Sequence, residues 1–202
     1  MHPNSAFRHA DRALLEALVD EVAFGMIFAA TPDGPRVAHV PLLWSTGGTV
    51  QFHLARGNAL TKHLDGATVL AVVNGPDGYI SPRWYSDGGA DQVPTWNYAA
   101  VELEGRVRRM DEAGLLAQIT ALSEKHEARV SAGKPWSIDK LSEARRIALV
   151  KAIVGFELDV LGWRETLKLS QNKSAEDRAG LAAGLESEGA AAIALMMRSV
   201  AE

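Results

Sequence analysis

The sequence predicts a mainly β fold with added helices (α+β), an antiparallel β-barrel that is closed or split. About six short apolar or alternating runs are joined by tight turns, and the helical patterns come mostly late in the chain. Strands do not alternate regularly with helices, as a parallel sheet would require. A barrel therefore fits the sequence better than a βαβ fold.

The first part of the chain is predicted to be a helix followed by β-hairpins. DRALLEALVDE carries leucine and valine at helical spacing. The runs VAFGMIFAA, RVAHVPLLW and TVQFHLA are separated by TPDGP and STGG, whose Pro, Asp and Gly residues suit tight turns. NALTKHL is predicted to be a short helix capped by Asn58, and ATVLAVVNG a buried strand.

A long strand is predicted from Pro94, because Val101, Leu103 and Val107 alternate with charged residues. EAGLLAQITALSEKHEARV and SIDKLSEARRIALVKAI then have the helical period, and IVGFELDVLGW returns to a β pattern. The tail, SAEDRAGLAAGL and GAAAIALMMRSV, is again helical. We predict one domain over residues 1–202, divided into a barrel core at about 20–110 and 150–170, a helical insertion at about 111–150 and a helical tail at about 173–200.

The composition is that of an ordinary globular protein, with 47% apolar and 23% charged residues. A net charge of -4 argues against a surface built mainly to hold DNA, because phosphate affinity comes from clustered Lys and Arg. No apolar run reaches the roughly 18 residues of a membrane helix, and the N-terminus lacks the pattern of a secretory signal. A cytoplasmic protein without a membrane partner is expected.

Several chemistries are excluded by the residues present. Without cysteine there is no disulfide, thiolate nucleophile or Cys-based metal site. No metal is predicted, because neither His2 with His9 nor His53 with His63 has the spacing of a metal pair. The chain also lacks a Gly-x-Ser-x-Gly elbow and a phosphate loop, NGPDG being interpreted as a turn, and no catalytic residue is assigned.

One aromatic stretch, Gly78 to Val107, holds all three tyrosines of the chain and two of its five tryptophans. Prolines and a Gly-Gly pair interrupt it, so it is neither one helix nor one strand. HLARGN and KLSQN offer cations and amides. A phosphate needs such donors and a flat heteroaromatic needs ring faces, and FMN has both parts. The alternative is that the rings plug a barrel end or a subunit interface.

Four stretches, VNGPDGYISPRWYS, VPTWNYAAVELEGRV, IVGFELDV and KLSQNKSAEDRAGLAAGL, resemble the PaiB-type, FMN-binding negative transcriptional regulators. With MHPNSAF, HVPLL and HLARGN, the resemblance covers nearly the whole chain. It implies an FMN-binding split β-barrel, similar to that of pyridoxamine phosphate oxidases and flavin reductases, and a homodimer with flavin sites between subunits. The flavin contacts that it implies are His39, Pro41, His53, Arg56, Asn58, Ser81, Trp84, Tyr85, Thr95, Trp96, Asn97, Lys168 and Gln171.

Physical chemistry narrows the roles of four of these residues. Arg56 and Lys168 are the better phosphate candidates, since a cation offsets the dianion. Trp84 and Trp96 are the better neighbours of the ring. Dimer packing is an equally open interpretation of Trp96, and a solvated strand end is the alternative for Lys168.

Three functions stay open at this point. The first is a dimeric flavoprotein that oxidises or reduces a small molecule or carries flavin. The second is a transcriptional regulator that acts on DNA or through a partner protein, although the acidic charge and the lack of a clear helix-turn-helix argue against direct operator binding. The third is a barrel that keeps the scaffold but binds flavin weakly or not at all.

Overall fold

A computed structural model describes residues 4–8, 11–45 and 47–199. The α-helices of this part are α1 Arg12–Val22, α2 Glu112–Glu127, α3 Glu143–Lys151, α4 Ala175–Ser187 and α5 Ala191–Ser199. The strands are β1 Phe24–Thr31, β2 Gly34–Ser45, β3 Thr49–Ala55, β4 Thr68–Ile80, β5 Thr95–Arg109 and β6 Ile153–Lys168. The predicted class, an antiparallel α+β barrel with a helical insertion and a helical tail, is confirmed.

The strands follow one another in the barrel in the order β1-β2-β3-β6-β5-β4. β1 pairs with β2 along its whole length, from Phe24 opposite Pro41 to Thr31 opposite Gly34. β5 buries every second residue from Asn97 to Val107. This is the alternation that the sequence predicts for a sheet with one solvated face.

The chain forms two compact units. The first unit comprises Met1–Leu15, Asn74–Val101 and Arg164–Glu202, and the second comprises Glu16–Val73 and Glu102–Trp163. The division into a single domain with a core, an insertion and a tail stays a prediction.

The second unit has a core of aromatic and aliphatic side chains. Phe52 and Phe156 are fully buried, and their rings stack with centroids 5.6 Å apart. Helix α2 packs on β2 and β3 and buries Leu115 and Leu122. It begins after Asp111, whose carboxylate accepts the Gly114 N–H at 2.7 Å, so a side-chain cap sets where the helix starts.

The first unit contains α4 and α5, which we call the C-terminal hairpin (Ala175–Ser199). The hydroxyl of Ser174 accepts the Asp177 N–H at 3.1 Å, which makes Ser174 the N-cap of α4. Glu186 and Arg198 form an ion pair between the two helices. The helical tail therefore begins at a defined N-cap, and an ion pair joins its two helices.

Two local predictions were wrong. Residues 58–64 form consecutive turns instead of a short helix, and Asn58 Oδ1 accepts the Leu60 N–H at 2.9 Å within them. NGPDG lies inside β4 instead of forming a turn. Packing explains why residue 78 is glycine, because a Cβ at this position would lie 2.6 Å from Cδ2 of Leu185. The glycine lets the strand approach the C-terminal hairpin closely.

Candidate functional site

A cleft of about 710 Å³ lies in the first unit. The end of β4, the 3₁₀ turn Pro82–Trp84 and the C-terminal hairpin line it. Its lining residues are Tyr79, Ser81, Pro82, Arg83, Trp84, Pro94, Leu185, Glu188 and Ala190. This volume is in the range of roughly 300–1,000 Å³ that is usual for ligand pockets. The cleft combines aromatic rings with one guanidinium and one carboxylate.

Trp84 is held at the cleft by its own turn and by α4. The hydroxyl of Ser81 accepts the Arg83 N–H at 3.3 Å and so caps the 3₁₀ turn. The indole lies against α4 where Gly184 has no side chain, since a Cβ there would lie 2.3 Å from Cδ2 of Trp84. The indole is therefore supported by the helix while Trp84 also lines the cleft.

The loop after Trp84 is tied to the start of α4 by one carboxylate. Oδ1 of Asp177 accepts the N–H of Ser86 at 3.0 Å and its hydroxyl at 2.8 Å. The bonds from Ser86, followed by the bond to Ser174, hold the pKa of Asp177 below its usual range. The contact therefore favours the ionised form of Asp177.

We expect Asp177→Asn to lower the urea midpoint of unfolding at neutral pH and to have less effect in acid. The folded pKa of Asp177 is lowered, so its carboxylate stabilises the fold above the ordinary aspartate pKa, and this stability is lost as the pH falls through the lowered value. The difference between the two midpoints should shrink as the pH falls from about 5 through the lowered pKa of Asp177. A difference that stays constant over that interval would contradict this role.

Tyr85 faces inward, next to this tie. Its ring is buried, and Nζ of Lys173 lies 5.1 Å from the ring centroid. Burial, together with the charges of Asp177 and Asp87, raises the pKa of Tyr85. Nζ of Lys173 also donates to Gln92 at 2.8 Å, so this lysine holds both ends of the loop. The predicted flavin contact at Tyr85 stays a prediction, and the described contacts of Tyr85 are with Pro82, Gly88 and Lys173.

Two exposed aromatic side chains belong to the strands at this end of the first unit. Trp96 is 54% exposed and Tyr79 is 45% exposed. Their ring centroids are 6.0 Å apart at an interplanar angle of 74°, an edge-to-face pair. Tyr79 also lines the cleft. Large aromatic groups left in solvent are typical of a binding surface.

Lys168, a predicted phosphate contact, is half-buried, and its Nζ donates to Oγ1 of Thr95. Burial lowers the pKa of Lys168. Gln171 follows on the same segment, where its amide accepts the Leu169 N–H at 2.7 Å and donates to the Leu167 carbonyl at 2.6 Å. The fold thus brings Thr95 and Lys168 together, while Gln171 bonds the backbone around it.

Asn97 is completely buried, unlike the other polar residues predicted to contact flavin. Its amide donates to Oγ of Ser170 at 2.9 Å and lies 3.3 Å from the sulfur of Met197. Ser170 has a φ of 58°, in the left-handed region that costs energy for a residue with a side chain. Asn97 therefore fastens a strained residue after β6 to α5.

In the second unit, the predicted contact His53 meets helix α2. Its Nδ1 donates to Oε1 of Gln118 at 3.0 Å. Desolvation by burial lowers the pKa of His53, and the hydrogen bond with Gln118 partly opposes this shift. Nε2 of Gln118 is buried and has no hydrogen-bond partner among the described residues. The imidazole is therefore biased toward its neutral form.

Arg56 of the second unit binds main-chain carbonyls. Nε donates to Lys151 at 2.7 Å and Nη2 donates to Ile153 at 3.1 Å. The guanidinium is exposed and keeps further N–H groups. Arg56 therefore joins the end of β3 to the start of β6 and still presents a cation to solvent.

His39 and Pro41 lie on the outer face of β2. They are opposite Met26 and Phe24 of β1, and the residues between them point into the core. Phe24 is 52% exposed, so this outer face is apolar and accessible.

Eight of the thirteen predicted contacts belong to the first unit and five to the second. Sequence reasoning missed the wall that α4 and its following turn contribute to the cleft, namely Leu185, Glu188 and Ala190. The available signal was the pair Gly180 and Gly184, which are one helical turn apart in α4. Such a pair indicates close packing against a helix.

Neither a metal-binding group of side chains nor a membrane-spanning helix occurs in the part of the chain that the structure describes. It contains no group of three or more His, Asp or Glu side chains placed to hold a metal ion. His2 and His9 lie outside the described residues. No helix within residues 4–8, 11–45 and 47–199 is long and apolar enough to cross a membrane.

A family model described as "Putative FMN-binding domain" matches residues 1–161, and the chain belongs to this family. The predicted resemblance to the PaiB-type family and the prediction of FMN as the family's cofactor are thereby confirmed.

A relative agrees with this assignment, and two solved structures share the fold. The chain is 32% identical over 174 residues to the Protease synthase and sporulation protein PAI 2 of Bacillus subtilis, covering 84% of this chain and 82% of that protein. The structure of the FAD and heme binding protein from Mycobacterium smegmatis matches with a TM-score of 0.59 at 16% identity, covering 85% of this chain and 78% of that chain. The conserved hypothetical protein Rv2991 of Mycobacterium tuberculosis matches with a TM-score of 0.60 at 12% identity, covering 86% and 94%. The two structures establish the fold alone.

The residues of the first unit fit an FMN. Trp84 and Tyr79 supply aromatic surface for a flat ring, and Arg83 supplies a cation at the same cleft. The volume of about 710 Å³ is sufficient for a cofactor of this size. Glu188 adds a carboxylate to the lining, and its negative charge would repel a phosphate on that side of the cleft.

Proposed function

We propose that this chain is an FMN-binding flavoprotein of the cytoplasm and that the cleft of the first unit takes part in holding the flavin. The observation that carries the proposal is the cleft itself, in which the indole of Trp84 lies beside Arg83 within about 710 Å³. An apolar, aromatic cleft with a few polar groups is the usual form of a cofactor site. Membership of the FMN-binding family supplies the identity of the cofactor.

The roles of individual residues in the first unit follow from their surroundings. Trp84 and Trp96 present ring faces and are the proposed neighbours of the isoalloxazine. Lys168, oriented by Thr95, is the proposed phosphate cation of this unit. The other proposed contacts here are Ser81, Tyr85, Asn97 and Gln171.

The second unit contributes proposed contacts of its own. Arg56 is anchored by two carbonyls, which leaves its remaining N–H groups oriented for an anion. His53 is biased toward the neutral form and is a proposed hydrogen-bonding partner of the flavin. His39, Pro41 and Asn58 complete this set.

FMN, when bound, supplies one- and two-electron redox chemistry. The residues of the chain bind and orient it: the indole restricts the ring plane, the cations offset the phosphate charge, and the apolar walls exclude water.

Titration of the protein with FMN, followed by quenching of flavin fluorescence, tests this proposal. We expect saturable binding that weakens as the pH rises through the pKa of Lys168, because the cation is then lost. The pKa is lowered by burial, so the loss should begin at a lower pH than for an ordinary lysine. Lys168→Met should bind FMN more weakly and lack this alkaline transition. A transition of the same size in Lys168→Met would contradict the role of Lys168.

We further propose that the protein is a homodimer in which a second copy covers the outer face of β1 and β2. Phe24, Phe28 and Val37 are 52%, 37% and 43% exposed on this face, and Phe28 lies opposite Val37. Apolar side chains grouped in this way are usually covered by a partner. Light scattering should give the mass of a dimer, and Phe28→Glu should give a monomer. A monomeric wild-type protein would overturn this proposal.

A regulatory role is the second candidate, favoured by the name of the Bacillus subtilis relative, which refers to protease synthesis and sporulation. The net charge of -4 favours action through a partner protein over direct binding to an operator. Tight operator binding that resists competitor DNA in a gel-shift assay at physiological salt would reverse this preference.

A further inference from the structure

The C-terminal hairpin lies beyond residues 1–161, to which the family model extends, yet it forms a wall of the cleft. Leu185 of α4 and Ala190, directly before α5, are among the lining residues, and Glu188 lies between them. The family match therefore does not account for this side of the cleft. The contacts of the hairpin indicate its role at the cleft.

The contact between α4 and Trp84 is made through two glycines. A Cβ on Gly184 would lie 2.3 Å from Cδ2 of Trp84 and 2.6 Å from both Cε2 and Cγ. A Cβ on Gly180 would lie 2.5 Å from the carbonyl oxygen of Trp84. Real Cβ atoms do not approach other atoms this closely, so the indole and its backbone occupy space that only glycine leaves open.

Further contacts fix the hairpin to the same loop and strand. Asp177 holds Ser86 through two hydrogen bonds of 3.0 and 2.8 Å. Gly78 of β4 makes room for Leu185 and Ile193, since a Cβ at Gly78 would lie 2.6 and 3.0 Å from their methyl groups. The hairpin thus contacts the residues before and after Trp84 as well as its ring.

We propose that the C-terminal hairpin is a positioning element of the flavin cleft, in which Gly184 sets the plane of the Trp84 indole against which the cofactor stacks. This inference rests on the proposed binding of FMN. The hairpin then contributes to the affinity for FMN in addition to packing against β4 and the loop after Trp84. Gly184 does not touch the ligand and acts through Trp84.

The substitution Gly184→Ala separates these two roles. Alanine favours the helical backbone more than glycine does, so the isolated effect on α4 is stabilising. The added methyl, however, occupies the place of the indole and tilts the ring away from α4. We expect FMN affinity to fall about tenfold, because a misplaced ring loses its stacking contact.

The control is Ala183→Leu, which adds more bulk to the same helix at an exposed position that does not line the cleft. Its FMN affinity should equal that of wild type. The double variant Trp84→Phe/Gly184→Ala completes a cycle. The loss of FMN affinity caused by Gly184→Ala should be markedly smaller when residue 84 is phenylalanine, because the added methyl group displaces the smaller ring less.

A readout without FMN makes failure of this inference distinguishable from failure of the proposed function. The near-ultraviolet circular dichroism of Trp84 is obtained by subtracting the spectrum of Trp84→Phe from that of wild type. This difference spectrum should change when Gly184→Ala is present in both proteins. If wild type binds no FMN but this signal changes, the proposed function fails and Gly184 still positions the ring. An unchanged signal together with unchanged affinity would overturn the inference. If Gly184→Ala does not fold, the double variant Trp84→Ala/Gly184→Ala should fold, because the indole that the methyl group displaces is then absent. If neither variant folds, the inference would also be overturned.

Discussion

Trp84→Ala is expected to weaken FMN binding by about 5- to 150-fold, corresponding to ~1–3 kcal/mol for a lost aromatic stacking contact. The reason is that Trp84 supplies the largest ring of the cleft and is supported by α4 on its far side. A supported ring is already in place when the ligand arrives, so little conformational entropy is lost on binding. Fluorescence titration with FMN measures the change.

Trp136→Ala is the matched control for this loss. Trp136 is 38% exposed in the second unit and does not line the cleft. The Trp136→Ala variant also loses one indole from the protein surface, and its FMN affinity should equal that of wild type. Equal affinities of Trp84→Ala and wild type would remove Trp84 from the proposed site.

Asn97→Ala is expected to lower the free energy of unfolding by about 1–3 kcal/mol, the usual cost of leaving a buried hydrogen-bonding group without its partner. The group left behind is the hydroxyl of Ser170, which is itself buried and held at a φ of 58°. The contact with Met197 of α5 would be lost as well. Urea denaturation followed by circular dichroism measures the effect.

Asn172→Ala provides the comparison for Asn97. Asn172 is exposed and lies two residues after Ser170, so the same substitution there should change the unfolding free energy very little. If Asn97→Ala were as stable as Asn172→Ala, the buried amide would not be fastening the segment after β6 to α5.

Much of the fold could be predicted from local patterns. The alternation of Val101, Leu103 and Val107 with charged residues predicts β5, and the structure buries those three side chains. NGPDG misled the prediction because Pro and Gly usually mark turns. In the protein, Gly78 is required by the close approach of Leu185, which is more than a hundred residues away in sequence. No local pattern contains that information.

The candidate site was predictable only in part. The aromatic stretch and the family resemblance lead to Trp84 and Trp96, because ring-bearing residues in an irregular segment are conspicuous in a sequence. Leu185 and Ala190 are ordinary apolar residues of a helical tail, and only tertiary packing brings them to the cleft. Asn97 is in phase with Val101, Leu103 and Val107 in the alternation of β5, and the structure buries it.

The visible absorption spectrum of the purified protein, before and after addition of FMN, tests the central claim most directly. Chromatography of whatever the denatured protein releases identifies the flavin. The account predicts a flavin spectrum, or one acquired on adding FMN, with release of about one FMN per chain. A colourless protein that does not bind added FMN would contradict the claim and leave the barrel with a structural or regulatory role.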